Sequence, residues 1–232
     1  MAITRARNSR KRPTGTAIER VRTTVAAWAP GYVFTPDDLL ACGTRAAVDQ
    51  ALTRLTRDGS VRRLARGLYD VPRVSARLGA LTPTPEAVAE ALARRGASRL
   101  QVAGARAANA LGLSSQVPGR SVFITDGTAR TRRFLGQTVE LRRAVPRTLE
   151  GAGSTAGAVL QALRHLGQDL VTDAVVAHLA STLSPADKTA LAGIAHAAPG
   201  WARPAVLAIA GGGPTANEPT DALASNAGRS HG

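Results

Sequence analysis

Residues 15–73 carry the pattern that most restricts how this chain can fold. Thr35 followed by Pro36 is typical of a helix start, because threonine caps a helix well and proline loses no hydrogen bond at the first helical position. A second helix is predicted over residues 45–58, directly after Thr44 as its cap. The apolar residues of this second helix recur at the spacing of one helical face: Val48, Ala51, Leu52 and Leu55.

Two short strands are predicted after the second helix, at residues 61–64 and 68–71. They would pair as a hairpin around Ala65-Arg66-Gly67, because Gly67 permits the positive φ that a tight turn needs. Another amphipathic helix is predicted upstream. The side chains expected to form the core of this region are Ile18, Val21, Val25, Trp28, Tyr32 and Phe34. Helix, short helix, helix and basic hairpin, in this order, predict a winged helix-turn-helix over residues 15–75.

The net charge is strongly positive. The chain has 30 lysines and arginines against 16 acidic residues, a formal charge of +14 at pH 7. Such an excess favours a polyanionic partner, either a nucleic acid or an acidic membrane surface. Lys11 and Lys188 are the only lysines, which reflects a GC-rich coding bias as well as function. Arginine is the better residue for bidentate contacts with phosphate or guanine.

Several classes of protein are disfavoured by the sequence. Cys42 is the single cysteine, so we expect no internal disulfide and no cysteine-based metal site. His165, His178 and His196 lack the spacing of metal ligands, and no glycine-rich phosphate loop occurs. We therefore expect neither a cofactor nor enzymatic activity. Without a long apolar run or a secretion signal, we expect a soluble, cytoplasmic protein that does not span a membrane.

The length of 232 residues predicts two compact units. After the winged helix-turn-helix, residues 82–210 are predicted to form a C-terminal α+β domain. It begins with a helix that Thr84 caps and that ends at Arg94, Arg95 and Gly96, followed by a short helix over residues 103–111 and a small antiparallel sheet, and it ends in helices. Its strands are expected at residues 121–125, 130–135 and 138–143. Residues 1–14 form a basic arm, predicted either to be disordered or to reach into a DNA groove, and residues 211–232 are predicted to be a disordered tail. The fold class is therefore α+β.

A family resemblance extends over roughly residues 15–165. It is carried by Tyr32-Val-Phe-Thr-Pro-Asp-Asp-Leu39, by Asp49-Gln-Ala-Leu-Thr-Arg-Leu55 and by Arg62-Arg-Leu-Ala-Arg-Gly-Leu-Tyr69. Further along, the matching positions are Gly104-Ala105, Ala107-Ala108-Asn109, Leu111-Gly-Leu113, Gln116-Val-Pro118 and Thr125-Asp-Gly127. In these residues the chain resembles the AbiEi-type antitoxins of type IV toxin–antitoxin and abortive-infection (phage-defence) systems.

The resemblance implies a function. In such antitoxins the N-terminal winged helix binds inverted repeats in the promoter of its own operon and represses transcription. The C-terminal domain assists repression and counters the toxin, a nucleotidyltransferase that the antitoxin is thought not to bind directly. By this resemblance, the chain is expected to be a sequence-specific repressor of its own promoter and the antitoxin of such a pair. Its oligomeric state and operator sequence stay open.

The residues expected to contact double-stranded DNA lie on two predicted elements. On the outward face of the second helix they are Thr44, Arg45, Asp49, Gln50, Thr53 and Arg54. On the hairpin they are Arg62, Arg63 and Arg66, which would hold backbone phosphates. Gln50 suits an adenine edge and Arg45 or Arg54 a guanine. Asp49 would either accept from a cytosine amine or orient one of these two arginines.

The sequence also allows other functions for the winged helix and for a second basic cluster. The winged helix could be a scaffold for protein interaction or for RNA, without recognition of an operator. A further basic cluster could also extend the DNA footprint, bind RNA or simply form an exposed, charged sheet face. Its members are Arg130, Arg132, Arg133, Arg142, Arg143 and Arg147.

Overall fold

The computed structural model describes residues 15–115 and 119–211. The fold is mixed α+β and divides into two compact units. Of the described residues, 15–102 and 119–149 form the first unit, and 103–115 and 150–211 form the second. The boundary predicted between residues 75 and 82 therefore falls inside the first unit. The predicted basic arm, and the predicted tail from residue 212 onward, lie outside the described residues.

The first unit begins with a helical segment. Its elements are α1 (Ala17–Ala26), a 3₁₀ helix (Pro36–Cys42) and α2 (Arg45–Arg57). The short helix predicted after Thr35 is thus a 3₁₀ helix, held at its start by the Asp38 carboxylate, which accepts a hydrogen bond from the Thr35 N–H at 2.7 Å. Thr44 caps α2 as predicted, since its side chain accepts from the Ala47 N–H.

A three-stranded antiparallel sheet follows from the same segment. Its strands are β1 (Val33–Phe34), β2 (Arg62–Ala65) and β3 (Leu68–Asp70), in the order β1-β3-β2. The predicted hairpin is confirmed, with β2 beginning one residue later and β3 ending one residue earlier than expected. Gly67 has a φ of +70° in its turn, as the prediction required.

The core of the helical segment contains the predicted aromatic residues. Phe34 is fully buried, and the partly buried side chains of Trp28 and Tyr32 pack against the same core. The Trp28 ring centroid lies 4.7 Å from that of Phe34 and 4.8 Å from that of Tyr32. Trp28 is therefore a core residue.

A short hairpin and a second sheet complete the first unit. The remaining elements are β4 (Val74–Ser75), β5 (Gly79–Ala80), α3 (Pro85–Arg94), β6 (Leu100–Val102), β7 (Ser121–Thr125), β8 (Arg130–Phe134) and β9 (Gln137–Arg143). The second sheet has the order β6-β7-β9-β8. The prediction of an antiparallel sheet was wrong in one respect, because β7 and β9 are parallel neighbours. β8 and β9 form an antiparallel hairpin with β8 at the edge of the sheet. β9 lies between β8 and β7 and runs parallel to β7.

One hydrophobic core joins the two sheets of the first unit. Val33, Leu64 and Leu68 from the first sheet pack with residues of α3, β7, β8 and β9. Arg94 at the end of α3 adds a polar connection, since its guanidinium lies 4.8 Å from the centre of the Tyr32 ring and 3.3 Å from the Asp38 carboxylate. This shared core explains why no boundary between compact units falls near residue 75.

The second unit is helical in its described part. Its α-helices are α4 (Gly104–Ala110), α5 (Thr155–Leu166), α6 (Asp173–Thr182), α7 (Pro185–Gly193) and α8 (Arg203–Ile209). Short 3₁₀ turns lie between α5 and α6 and between α7 and α8. The largest fully buried side chains of its core are Leu160, Leu163, Leu179, Leu191 and Ile209. Across the described residues, no helix combines the length and the apolar character needed to cross a bilayer.

Candidate nucleic-acid interface

Helix α2 has one buried face and one exposed face. Its predicted apolar stripe, Val48, Ala51, Leu52 and Leu55, is at most 1 % exposed. The residues predicted to contact DNA therefore lie on the solvent side. All of them are exposed: Thr44, Arg45, Asp49, Gln50, Thr53 and Arg54. The local pattern of the sequence was sufficient to place these six side chains, because helical periodicity fixes which residues share a face.

Arg45 is held by two carboxylates. Its Nε lies 3.1 Å from both carboxylate oxygens of Asp49, and its Nη1 lies 3.0 Å from Asp37. Of the two roles considered for Asp49, orientation of an arginine one turn away is the one seen here. The guanidinium of Arg45 is therefore oriented, and its charge is compensated, by groups of the protein itself.

Gln50 and Arg54 differ from Arg45. Within the described part of the chain, neither side chain has a hydrogen-bonding or ionic partner. Thr53 lies between them in sequence and uses its hydroxyl to donate to the Asp49 carbonyl at 2.8 Å. Gln50 and Arg54 thus present unused hydrogen-bonding groups to solvent, one turn apart on the same face.

Arg62 has an internal role in the hairpin. Its guanidinium donates to both carboxylate oxygens of Asp70, at 3.1 and 2.6 Å, and to the Leu81 carbonyl at 2.7 Å. The Asp70 side chain is 1 % exposed and that of Arg62 is 23 % exposed. The hydrogen bonds that Arg62 donates to the Asp70 carboxylate raise the pKa of Arg62. This geometry disfavours the phosphate contact predicted for Arg62, because its donors already satisfy a buried carboxylate.

Arg63 and Arg66 remain exposed on the hairpin. Arg63 makes one long contact, from its Nε to the Ala65 carbonyl at 3.4 Å. Arg66 lies in the turn beside Gly67, and both line the same cleft as Arg45 at the start of α2. The hairpin turn and the beginning of α2 therefore lie close together, with arginines on both.

The second predicted basic cluster separates into two groups. Arg130, Arg132 and Arg133 on β8 line the cleft that also contains Arg45 and Arg66. On β9, Arg142 is instead paired with Glu140 at 2.7 Å. Arg120 also approaches Glu140, at 3.2 Å. The hydrogen bond from Arg142 is the main cause of the lowered pKa of Glu140.

Arg95 was not singled out from the sequence, where it only marked the end of a helix. It lies 2.6 Å from the Asp37 carboxylate and also lines the cleft. Asp37 and Arg95 are 58 positions apart in the sequence, so no local pattern could have predicted their contact.

Cys42 is buried, and its sulfur lies 3.4 Å from the Thr24 hydroxyl. In the described residues, no group of histidine, cysteine and acidic side chains is arranged to hold a metal ion.

The fold and this surface define an α+β protein with a cation-rich face around one exposed helix. A family model matches residues 20–191, and the chain belongs to this family, DUF6088, a family of unknown function. Among solved structures it is similar to the crystal structure of the RV2827C protein from Mycobacterium tuberculosis, at 22 % identity and a TM-score of 0.43. That match covers 88 % of this chain and 80 % of the other. No curated protein matches the chain.

Proposed function

We propose that residues 15–75 form a winged helix-turn-helix that binds double-stranded DNA, with α2 in the major groove. One observation carries this proposal: α2 buries its apolar stripe and leaves Gln50 and Arg54 exposed without partners in the described part of the chain. Glutamine and arginine are the side chains that read adenine and guanine edges by paired hydrogen bonds. Exposed Arg63 and Arg66 on the hairpin suit contacts with backbone phosphates, which position a protein on the duplex.

Within this proposal the residues have different tasks. Arg54 is the better candidate for a guanine contact, because Arg45 is already bound by Asp37 and Asp49. Arg45 instead presents, at the start of α2, a guanidinium whose orientation is set by these two carboxylates. Arg62 supports the hairpin from inside, through Asp70. Thr44 and Thr53 have short hydroxyl side chains on the exposed face, suited to phosphate or base contacts.

We further propose that the protein is a cytoplasmic repressor of its own promoter and the antitoxin of a type IV pair. The support for this step is the resemblance to AbiEi-type antitoxins, whose operators are inverted repeats. The genetic partner would be a nucleotidyltransferase toxin that the antitoxin counters without direct binding. A nucleotidyltransferase gene beside this one would strengthen the proposal.

The first experiment measures fluorescence anisotropy of labelled DNA with the full-length protein over a salt series. Labelled DNA from upstream of the gene is compared with a scrambled duplex of equal length and composition. We expect tighter binding to the upstream DNA, weakening with salt at a log–log slope of about −0.9 per neutralised phosphate. Equal and weak binding to both duplexes would contradict operator recognition and leave only a generic effect of charge.

A single substitution tests the proposed groove face. Arg54→Ala is expected to weaken binding to upstream DNA roughly tenfold to hundredfold, because a bidentate arginine–guanine pair contributes about 1–3 kcal/mol of discrimination. The loss should be larger for upstream than for scrambled DNA. Arg203→Ala, an exposed arginine of the second unit, is the charge-matched control and should change affinity little.

The same variants separate the proposal from its alternative. If the winged helix were a scaffold for a protein or RNA partner, Arg54→Ala would bind upstream DNA as the wild type does. Arg45→Ala is a useful intermediate case. Because Arg45 is tied to two carboxylates, its removal should cost less affinity than the removal of Arg54.

A further inference from the structure

The first unit contains a cleft of about 500 Å³ with an unusual lining. Its walls come from the start of the 3₁₀ helix, the start of α2, the turn between β2 and β3, the end of α3, and strand β8. Six arginines from these elements line it: Arg45, Arg66, Arg95, Arg130, Arg132 and Arg133. Residues distant in sequence thus bring their guanidinium groups to one concavity.

The sheet register places two of these arginines on the inner side of β8. Arg130 is paired with Leu141 and Arg132 with Val139 on the neighbouring strand β9. Directly opposed residues of paired strands share a face of the sheet. Leu141 and Val139 are buried in the core with α3, so Arg130 and Arg132 lie on the face of the sheet that α3 covers. Arg95, just after α3, then faces the same space.

The charges in the cleft are far from balanced. Asp37 is the one carboxylate among its described lining residues, and it pairs with Arg45 at 3.0 Å and with Arg95 at 2.6 Å. Arg66, Arg130, Arg132 and Arg133 make no salt bridge within the described ranges. Like charges gathered in a concave site repel each other and raise the local concentration of anions. A bound polyanion would relieve that repulsion.

We propose that this cleft binds the phosphate chain of a small polyphosphate, such as a nucleoside polyphosphate. Its volume is within the range of small-molecule sites, about 300–1,000 Å³. Guanidinium groups form paired, charge-assisted hydrogen bonds with phosphate oxygens. The described lining contains no aromatic ring on which a base could stack, so the phosphates are the part recognised. The concave shape favours such a ligand over a duplex backbone, which would contact only the rim.

The site would also be coupled to DNA binding, a step that rests on the proposed function. Arg45 and Arg66 line the cleft and also belong to the proposed DNA face. A polyphosphate that engages both would compete with DNA for the same cations. Linkage requires that the ligand then lowers DNA affinity by the same factor by which DNA lowers the affinity for the ligand.

The test is isothermal titration calorimetry of the full-length protein with inorganic tripolyphosphate, at constant ionic strength. Orthophosphate serves as the comparison. We expect saturable binding of one tripolyphosphate per chain, weakened at least about tenfold in R130A/R132A, because two guanidinium groups that can donate charge-assisted hydrogen bonds to phosphate are removed. The matched control R73A/R77A removes two exposed arginines that do not line the cleft, and it should bind as the wild type does.

A second variant tests the proposal independently, in case R130A/R132A does not fold. R66A alters the opposite wall of the cleft, in a turn, and is also expected to weaken tripolyphosphate binding. Thermal unfolding of each variant checks that it is folded. Absence of saturable binding, or an equal loss in R73A/R77A, would overturn the proposal in favour of generic charge.

DNA titrations distinguish the two sources of phosphate. If R130A/R132A weakened binding to upstream DNA and left tripolyphosphate binding unchanged, β8 would belong to the DNA footprint and the small-ligand site would be refuted. If tripolyphosphate bound in the cleft while upstream and scrambled DNA bound alike, the ligand site would stand and the proposed operator recognition would fail. The two ideas can therefore fail separately.

Discussion

Arg62→Met is expected to lower the free energy of unfolding by about 3 kcal/mol, because removing one partner of a buried ion pair leaves the other charge uncompensated. The remaining group is Asp70, whose side chain is 1 % exposed and whose two carboxylate oxygens both accept from Arg62. The Leu81 carbonyl loses its donor as well. The measurement is urea unfolding followed by Trp28 fluorescence in a Trp201→Phe background, since the chain has two tryptophans.

The neighbouring residue supplies a matched control for this prediction. Arg63→Met removes the next arginine of the same strand, but Arg63 is exposed and its contact with the Ala65 carbonyl is long, at 3.4 Å. Its effect should stay within about 0.5 kcal/mol, as for most surface substitutions. The double variant R62M/D70L should recover part of the loss, because no charge is then left unpaired. Similar stabilities for Arg62→Met and Arg63→Met would mean that the Asp70 pair contributes little.

Leu52→Ala is the second large effect, with an expected loss of about 2–5 kcal/mol of stability for a leucine truncated in a core. Leu52 is fully buried in the core formed by α1, α2, the 3₁₀ helix and Phe34. The cost combines lost burial with the cavity that remains. The same urea unfolding assay measures it, and the slope of the transition shows whether the unit still unfolds cooperatively.

Thr53→Ala tests the other face of the same helix. Thr53 is exposed, and its hydroxyl donates to the Asp49 carbonyl one turn away. Its stability should match the wild type to within about 0.5 kcal/mol. A loss for Thr53→Ala as large as that for Leu52→Ala would contradict the division of α2 into a buried stripe and a solvent face.

The features predicted well from the sequence are those decided over a few residues. Thr44 caps α2, and the apolar spacing from Val48 to Leu55 places its buried face. The hairpin turn at Gly67 follows from the same kind of local signal. Such features depend on backbone preference and side-chain periodicity, which the sequence displays directly.

The features missed depend on contacts between distant residues. Strands β1 and β6 are two and three residues long, too short to show alternation, and they exist because partners from elsewhere complete them. The parallel pairing of β7 with β9 was missed because each tight turn favours an antiparallel neighbour. The pairing of Arg62 with Asp70 was not predicted, because it depends on the strand register. Arg95 was overlooked because its partner, Asp37, is remote in sequence.

Because the two sheets of the first unit share a core, residues 15–75 are poorly suited to transfer into another protein. Val33, Leu64 and Leu68 are buried against α3 and the second sheet, not only within their own segment. If residues 15–75 were fused to another protein as a separate domain, these three aliphatic side chains would lose the residues that bury them and would be exposed to water. Burial of each such side chain is worth about 1.5–3 kcal/mol, so the excised piece would forfeit a large share of a small domain's stability. The β2–β3 hairpin and the second sheet therefore have to be kept together, both when domains recombine in evolution and when a fusion protein is designed.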